Sequence, residues 1–182
     1  RTTDTLSTST WHHVVVTYDG SSSSSGVEFY IDGTLATKDT PIRNNLSATT
    51  QNTDTFYIGN SYSTTSPFNG KIDKVIVYDK KLTQSEVTEI YNYDRIPGLI
   101  GIGNEVSQWE LDTLNPVDVI EHNPHTSFDG VNEYITVPNS TSISFGNSSL
   151  FSYSCWYNGD RTSNSNVETL ISNYNNSTGI GI

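Results

Sequence analysis

One cysteine, no methionine, six prolines and nine basic residues are what this 182-residue chain has least of. The single thiol, Cys155, excludes any disulfide within the chain, so packing and hydrogen bonds alone must hold the fold. Nine Lys and Arg against 20 Asp and Glu leave a formal net charge of −11, which argues against nucleic acid, because phosphate binding needs a basic face. No apolar run approaches the ~20 residues of a membrane-spanning helix, and no stretch reads as a signal peptide. Charged residues make up only 16%, so this is not the charge-rich composition of a disordered tail. Hydrophobic residues reach only 33%; Ser, Thr and Asn fill the gap, and eleven Tyr and three Trp can supply core volume. With Arg1 at the start and Gly-Ile-Gly-Ile at the end, we expect an excerpt of a longer polypeptide.

What is there is a succession of short strands between polar turns. His13 to Tyr18 is β-branched, and a serine loop (DGSSSSSG, 19–26) follows it. Val27 to Ile31 resumes as a strand and meets Asp32-Gly33, a pair suited to the positive φ angles of a type I′ hairpin turn. Leu35 to Lys38 reads as the return strand, with further strands at Thr55–Gly59 and Lys71–Tyr78. Strict alternation in the last would put Ile72, Lys74, Ile76 and Tyr78 on one face, and Asp73, Val75, Val77 and Asp79 on the other. One helix is expected, over about 84–93: Thr83 and Glu86 form a capping box, and Leu82 and Val87 a hydrophobic staple. Beyond Pro97-Gly98 come strands at Val106–Leu111, Tyr134–Val137, Ile143–Phe145, Leu150–Tyr157 and Val167–Ile171. Strands spaced roughly 8–12 residues apart, with a single helix, predict an all-β, two-sheet antiparallel sandwich.

The ordered pieces WHHVVVTYDG, VEFYIDGTLA, FYIGN and FNGKIDKVIVYDKKLTQSEVTEIY resemble the C-terminal half of a laminin G-like, concanavalin A-like jelly roll. SFDGVNEYITVPNSTSISFGNSSLFSYSCWYNGD is similar to the opposite, N-terminal end of the same family, and GLIGIGNEVSQWELD to its first strand. The expected division is therefore 1–97, the C-terminal part of one jelly roll, and 98–182, the N-terminal part of a second or of a circularly permuted one. Two arrangements fit. The chain is a window on tandem jelly rolls, our working expectation, or a permuted single domain, which would require residues 1–94 and 127–182 to share one sandwich core.

Several clusters invite chemistry. His12 and His13 are adjacent on a strand, so their side chains point to opposite faces and one metal cannot readily take both. Glu110 and Asp112 match two thirds of the E-x-D-x-E pattern of jelly-roll glucanases, but Leu114 stands where the third carboxylate belongs. Glu121, His122 and His125 lack a fourth zinc ligand, and Cys155 has no His–acid pair. No enzymatic activity is expected. The resemblance implies calcium as the candidate cofactor, held in rim loops; Asp129, Asn132 and Glu133 offer hard oxygens within five residues, and Asp19 is a second candidate.

The resemblance also implies a non-catalytic recognition module, carbohydrate-binding or adhesive, in a larger extracellular or virion protein. Tyr57, Tyr62 and Tyr78 could stack on sugar C–H faces, while Asn60 and Asn69 could fix hydroxyls. The expected partners are a glycan or host-surface receptor and neighbouring jelly-roll domains or structural subunits, without nucleic acid or membrane insertion. The alternative is a structural or decoration component of a phage or other extracellular assembly with no ligand of its own. A polar, disulfide-free chain made in a reducing cytoplasm yet working outside suits that reading.

Overall fold

A computed structural model describes residues 3–39, 55–61, 66–93, 105–109, 125–138, 140, 143, 145, 149–160, 168–175 and 178–181. The first segment contributes β1 (Trp11–Tyr18), β2 (Val27–Ile31), β3 (Thr34–Leu35), β4 (Phe56–Ile58), β5 (Asn69–Tyr78) and helix α1 (Gln84–Tyr93). The remainder contributes β6 (Glu105–Trp109), β7 (Thr126–Asp129), β8 (Ile135–Val137), β9 (Phe151–Gly159), β10 (Ile171–Asn175) and β11 (Thr178–Gly181). They form a seven-stranded sheet, ordered β3-β2-β1-β9-β5-β6 with β7 also on β5, and a four-stranded sheet, ordered β11-β10-β4-β8. All pairings are antiparallel, and the architecture is a jelly-roll-type sandwich.

Local chemistry sets the turns and the cap. Asp32 and Gly33 take φ of 49° and 76°, the type I′ geometry that the Asp-Gly pair favours. The capping box forms reciprocally: Glu86 N–H donates to Thr83 Oγ1 at 3.3 Å, and Thr83 N–H to Glu86 Oε2 at 2.9 Å. Leu82 and Val87 are both fully buried, which closes the staple. Helix α1 covers the outer face of the large sheet, where Leu82, Val87 and Ile90 pack on Val15, Tyr30, Ile76 and Tyr78.

The return strand expected over Leu35–Lys38 is Thr34–Leu35, and three further strand expectations differ from the structure. The alternation assigned to β5 fails because a bulge interrupts it: the register on β9 shifts between Asp73 and Ile76, and Lys74 takes φ of +47°. The extra residue moves Ile72 onto the face of Val75 and Val77, in the core between the sheets, and leaves Ile76 and Tyr78 under the helix. Ile143 is not in a strand; its N–H turns back onto the Ser140 carbonyl at 3.2 Å, while its side chain still enters the core. The strand expected over Val167–Ile171 begins instead at Ile171, because Thr169 N–H and the Leu170 carbonyl bond outward to Ser66 and Gly59.

Strand β9 lies between β1 and β5. Trp11 to Tyr18 pair with Asn158 back to Phe151, and Gly70 to Tyr78 pair along the other edge of β9. The inter-sheet core accordingly takes Tyr18, Phe56, Ile58, Phe68, Ile72, Val75 and Val77 from the first segment, and Phe128, Ile143, Phe151, Tyr153, Cys155 and Ile171 from the second. Ser152 ties the segments again: its Oγ accepts the Leu82 N–H at 3.0 Å and donates to the Lys80 carbonyl at 2.8 Å, just before α1.

Candidate functional site

On the four-stranded sheet, Phe56 and Ile58 fill the core, so strand alternation turns Tyr57 to the outer side. Tyr57 is half-buried, with exposed Thr136 of β8 directly opposite it and Ser172 of β10 on its other flank. Tyr134 precedes β8 and meets Tyr57 edge to face, with ring centroids 5.6 Å apart at 66°. At 45% exposure Tyr134 presents its ring to solvent, and Val131, in the preceding turn, is 67% exposed. An aromatic pair beside a hydroxyl-bearing side chain and a polar turn can stack on an apolar ring face while bonding its substituents.

The rim beside this face is built by Asp129 and Glu133. Asp129 Oδ1 accepts the Val131 N–H at 2.8 Å, and Glu133 Oε2 accepts the Asp129 N–H at 2.7 Å, which closes the 129–133 turn. Asn69 lies opposite Asp129 in the β5–β7 register, so this expected sugar contact and the expected cation ligands share one rim. Asp129, Asn132 and Glu133 are all exposed. Asp19 stands at the other end of the sandwich: Tyr18 pairs with the start of β9, whereas Gly70, beside Asn69, pairs with its end. The nine residues of β9 separate those ends by about 26 Å.

Asp19 serves the serine loop. Its carboxylate accepts the Ser21 N–H at 2.9 Å, and bonding to Ser21 holds its pKa below the ordinary carboxylate value despite some desolvation. The Lys38 ammonium closes the same loop by donating to the carbonyls of Ser25 at 3.0 Å and Val27 at 2.9 Å. Among the described residues, no group of three or more His, Cys, Asp or Glu is placed to hold a metal ion. With one oxygen of each 129–133 carboxylate committed to the backbone, the described donors do not make a calcium cage.

The other sequence candidates scatter. Asn60 is fully buried, with its Oδ1 accepting the Ser61 N–H at 2.8 Å, and Tyr78 is buried beneath α1. Tyr62, Glu110, Asp112, Glu121 and His122 lie outside the described residues. His125 packs edge-on to Trp11, with centroids 5.7 Å apart. Cys155 is wholly buried; burial, and secondarily Asp73, push its thiol pKa far above the ordinary value. The two histidines face oppositely, as adjacent strand positions must. His13 is buried against Trp156 and Tyr91, with Nε2 2.8 Å from Ser154 Oγ, while His12 turns toward Asp32 and Ser7.

Residues 1–88 match the laminin G-type family model described as the Concanavalin A-like lectin/glucanases superfamily. That segment, just under half of the chain, resembles the family. The match runs from the first residue into α1 and takes in β1 to β5, including Tyr57. Neither the curated proteins nor the solved structures include a significant match to the chain. The laminin G-like match supports a module of the carbohydrate-binding or adhesive kind, and modules of this kind are generally non-catalytic. No helix among the described residues is long and apolar enough to cross a membrane.

Sequence reasoning missed Tyr134 as a partner of Tyr57. The signal was available in part, since Tyr134 and Thr136 share a parity opposite to Ile135 and Val137, which pack against the core. The β4–β8 pairing that brings the tyrosines together leaves no local trace.

Proposed function

We propose that the chain is a carbohydrate-recognition module whose ligand face is the outer side of the four-stranded sheet, centred on Tyr57 and Tyr134. The observation that carries this reading is the edge-to-face tyrosine pair, with Tyr134 held open to solvent. A pyranose ring would stack on Tyr134, while Thr136 and the side chains of Asn132 and Asn69 offer partners for its hydroxyls. Binding needs no covalent chemistry: aromatic stacking supplies affinity, and the directed polar groups supply selectivity. The sugar is sought first among neutral glycans, because Asp129 and Glu133 on the adjoining rim would repel an acidic one.

Calcium is not part of this proposal for the rim. One carboxylate oxygen each of Asp129 and Glu133, with the Asn132 amide, would have to supply it, short of the six to eight oxygens the ion prefers. The two segments are proposed to constitute one permuted sandwich, supported by the insertion of β9 between β1 and β5. An extracellular or virion setting is proposed with it.

A glycan array probed with the labelled chain tests the function, with Tyr134→Ala as control. Hits on neutral glycans that the variant loses support the reading. An empty array at high micromolar protein, together with symmetric self-association, would transfer support to the structural or decoration role.

A further inference from the structure

The geometry points to a second chemistry at the start of β1: we propose that Ser7, His12 and Asp32 form a nucleophile–base–orienter relay that makes Ser7 Oγ an acylation site for small carboxylic esters. His12 Nδ1 lies 2.8 Å from Asp32 Oδ2, and His12 Nε2 lies 2.9 Å from Ser7 Oγ. An ionised carboxylate can only accept, so in the neutral imidazole the proton sits on Nδ1 and Nε2 is left to accept from the serine hydroxyl. Asp32 is itself fixed. Its other oxygen accepts the His13 N–H at 2.9 Å, its own N–H donates to the His13 carbonyl at 2.9 Å, and its φ of 49° belongs to the β2–β3 turn. The base is therefore oriented by a third group that cannot swing away, the arrangement by which such triads are recognised irrespective of fold.

Accessibility has the right polarity. His12 is nearly buried, Asp32 is partly exposed beside it, and Ser7 is exposed to an incoming ester. The Ser7 carbonyl lies 3.2 Å from Nε2 and can accept a bond from that nitrogen once it carries the serine proton.

The step balances without any oxidant or metal. Ser7 Oγ adds to the ester carbonyl as its proton moves to His12 Nε2. The bond from the carbonyl carbon to the alkoxy oxygen then breaks, and His12 returns the proton to the leaving alcohol. Water repeats the sequence on the acyl-serine, releasing the carboxylic acid and restoring Ser7.

The folded chain is treated with a fluorophosphonate probe and, separately, with p-nitrophenyl acetate, and the adducts are mapped by mass spectrometry. A single adduct on Ser7, absent in Ser7→Ala, is expected, with acylation slowed at least about 100-fold in His12→Ala. Asp32→Asn separates the relay from a structural lock. Asn tolerates the positive φ of the turn, but its amide N–H can donate to Nδ1, which moves the imidazole proton to Nε2 and blocks general-base action. A comparable loss of acylation in Asp32→Asn with an unchanged melting temperature supports the relay. Labelling spread over many serines, no labelling, or full labelling in Asp32→Asn overturns it.

Discussion

Replacing Gly59 by alanine interrogates the contact between the two segments. Gly59 follows β4 with φ of +84°, and a Cβ built there would lie 2.3 Å from Phe128 Cε1 and 2.5 Å from Cδ1. The ring is buried at 4% exposure and packed in the inter-sheet core, so it has little room to retreat. Two costs follow: about 1–2 kcal/mol for a side chain in the left-handed region and about 1–3 kcal/mol for overpacking. Phe128→Ala alone should cost about 3–5 kcal/mol as a large-to-small core change. In that background the Gly59 substitution meets no ring and keeps only its backbone cost. A double-mutant cycle by urea unfolding, followed by tryptophan fluorescence with sucrose present to favour the compact state, should therefore give a coupling of about 1–3 kcal/mol. Penalties that add within about 0.5 kcal/mol would place Phe128 away from Gly59 and refute a core shared between segments.

Thr83→Ala should destabilise the chain by about 1 kcal/mol through loss of the helix cap, read from the urea midpoint. Burial pushes the Glu86 carboxyl up, but Lys80 and the Thr83 groups outweigh it and leave the folded pKa below its ordinary 4.5. Its stabilisation is thus complete above the unfolded value and fades as pH falls through the folded one. Glu86→Gln should consequently lose stability relative to wild type at neutral pH and converge with it in acid, which parallel melts across pH would reveal. Cys155 should resist a thiol reagent in the native chain and react stoichiometrically in denaturant; fast native labelling would contradict its burial. Millimolar calcium or chelator should leave the melting temperature unchanged, since one oxygen of each described rim carboxylate is bound to a backbone N–H and the donors left fall short of a calcium shell.

What could be read from the sequence was what neighbours in sequence decide. The Asp32-Gly33 turn and the Thr83–Glu86 box are each written within four residues, and both formed as expected. The β5 bulge was not legible, because Lys74 carries no glycine-like mark at its positive φ and the shift exists only relative to β9. The tyrosine pair needed the β4–β8 register, and the neighbourhood of His12 needed both the hairpin and the segment before β1. Asn60 misled for a simple reason: a polar residue after a strand reads as exposed, but here its amide oxygen caps the next backbone N–H inside the protein.

The most direct test of the recognition reading is an NMR titration of the labelled chain with a neutral oligosaccharide identified on the array. Shifts should concentrate at Tyr57, Tyr134, Thr136 and the 129–133 turn, and Tyr134→Ala should abolish saturable binding. Saturable shifts mapping instead to the helix-covered sheet, or binding undiminished in the variant, would contradict it.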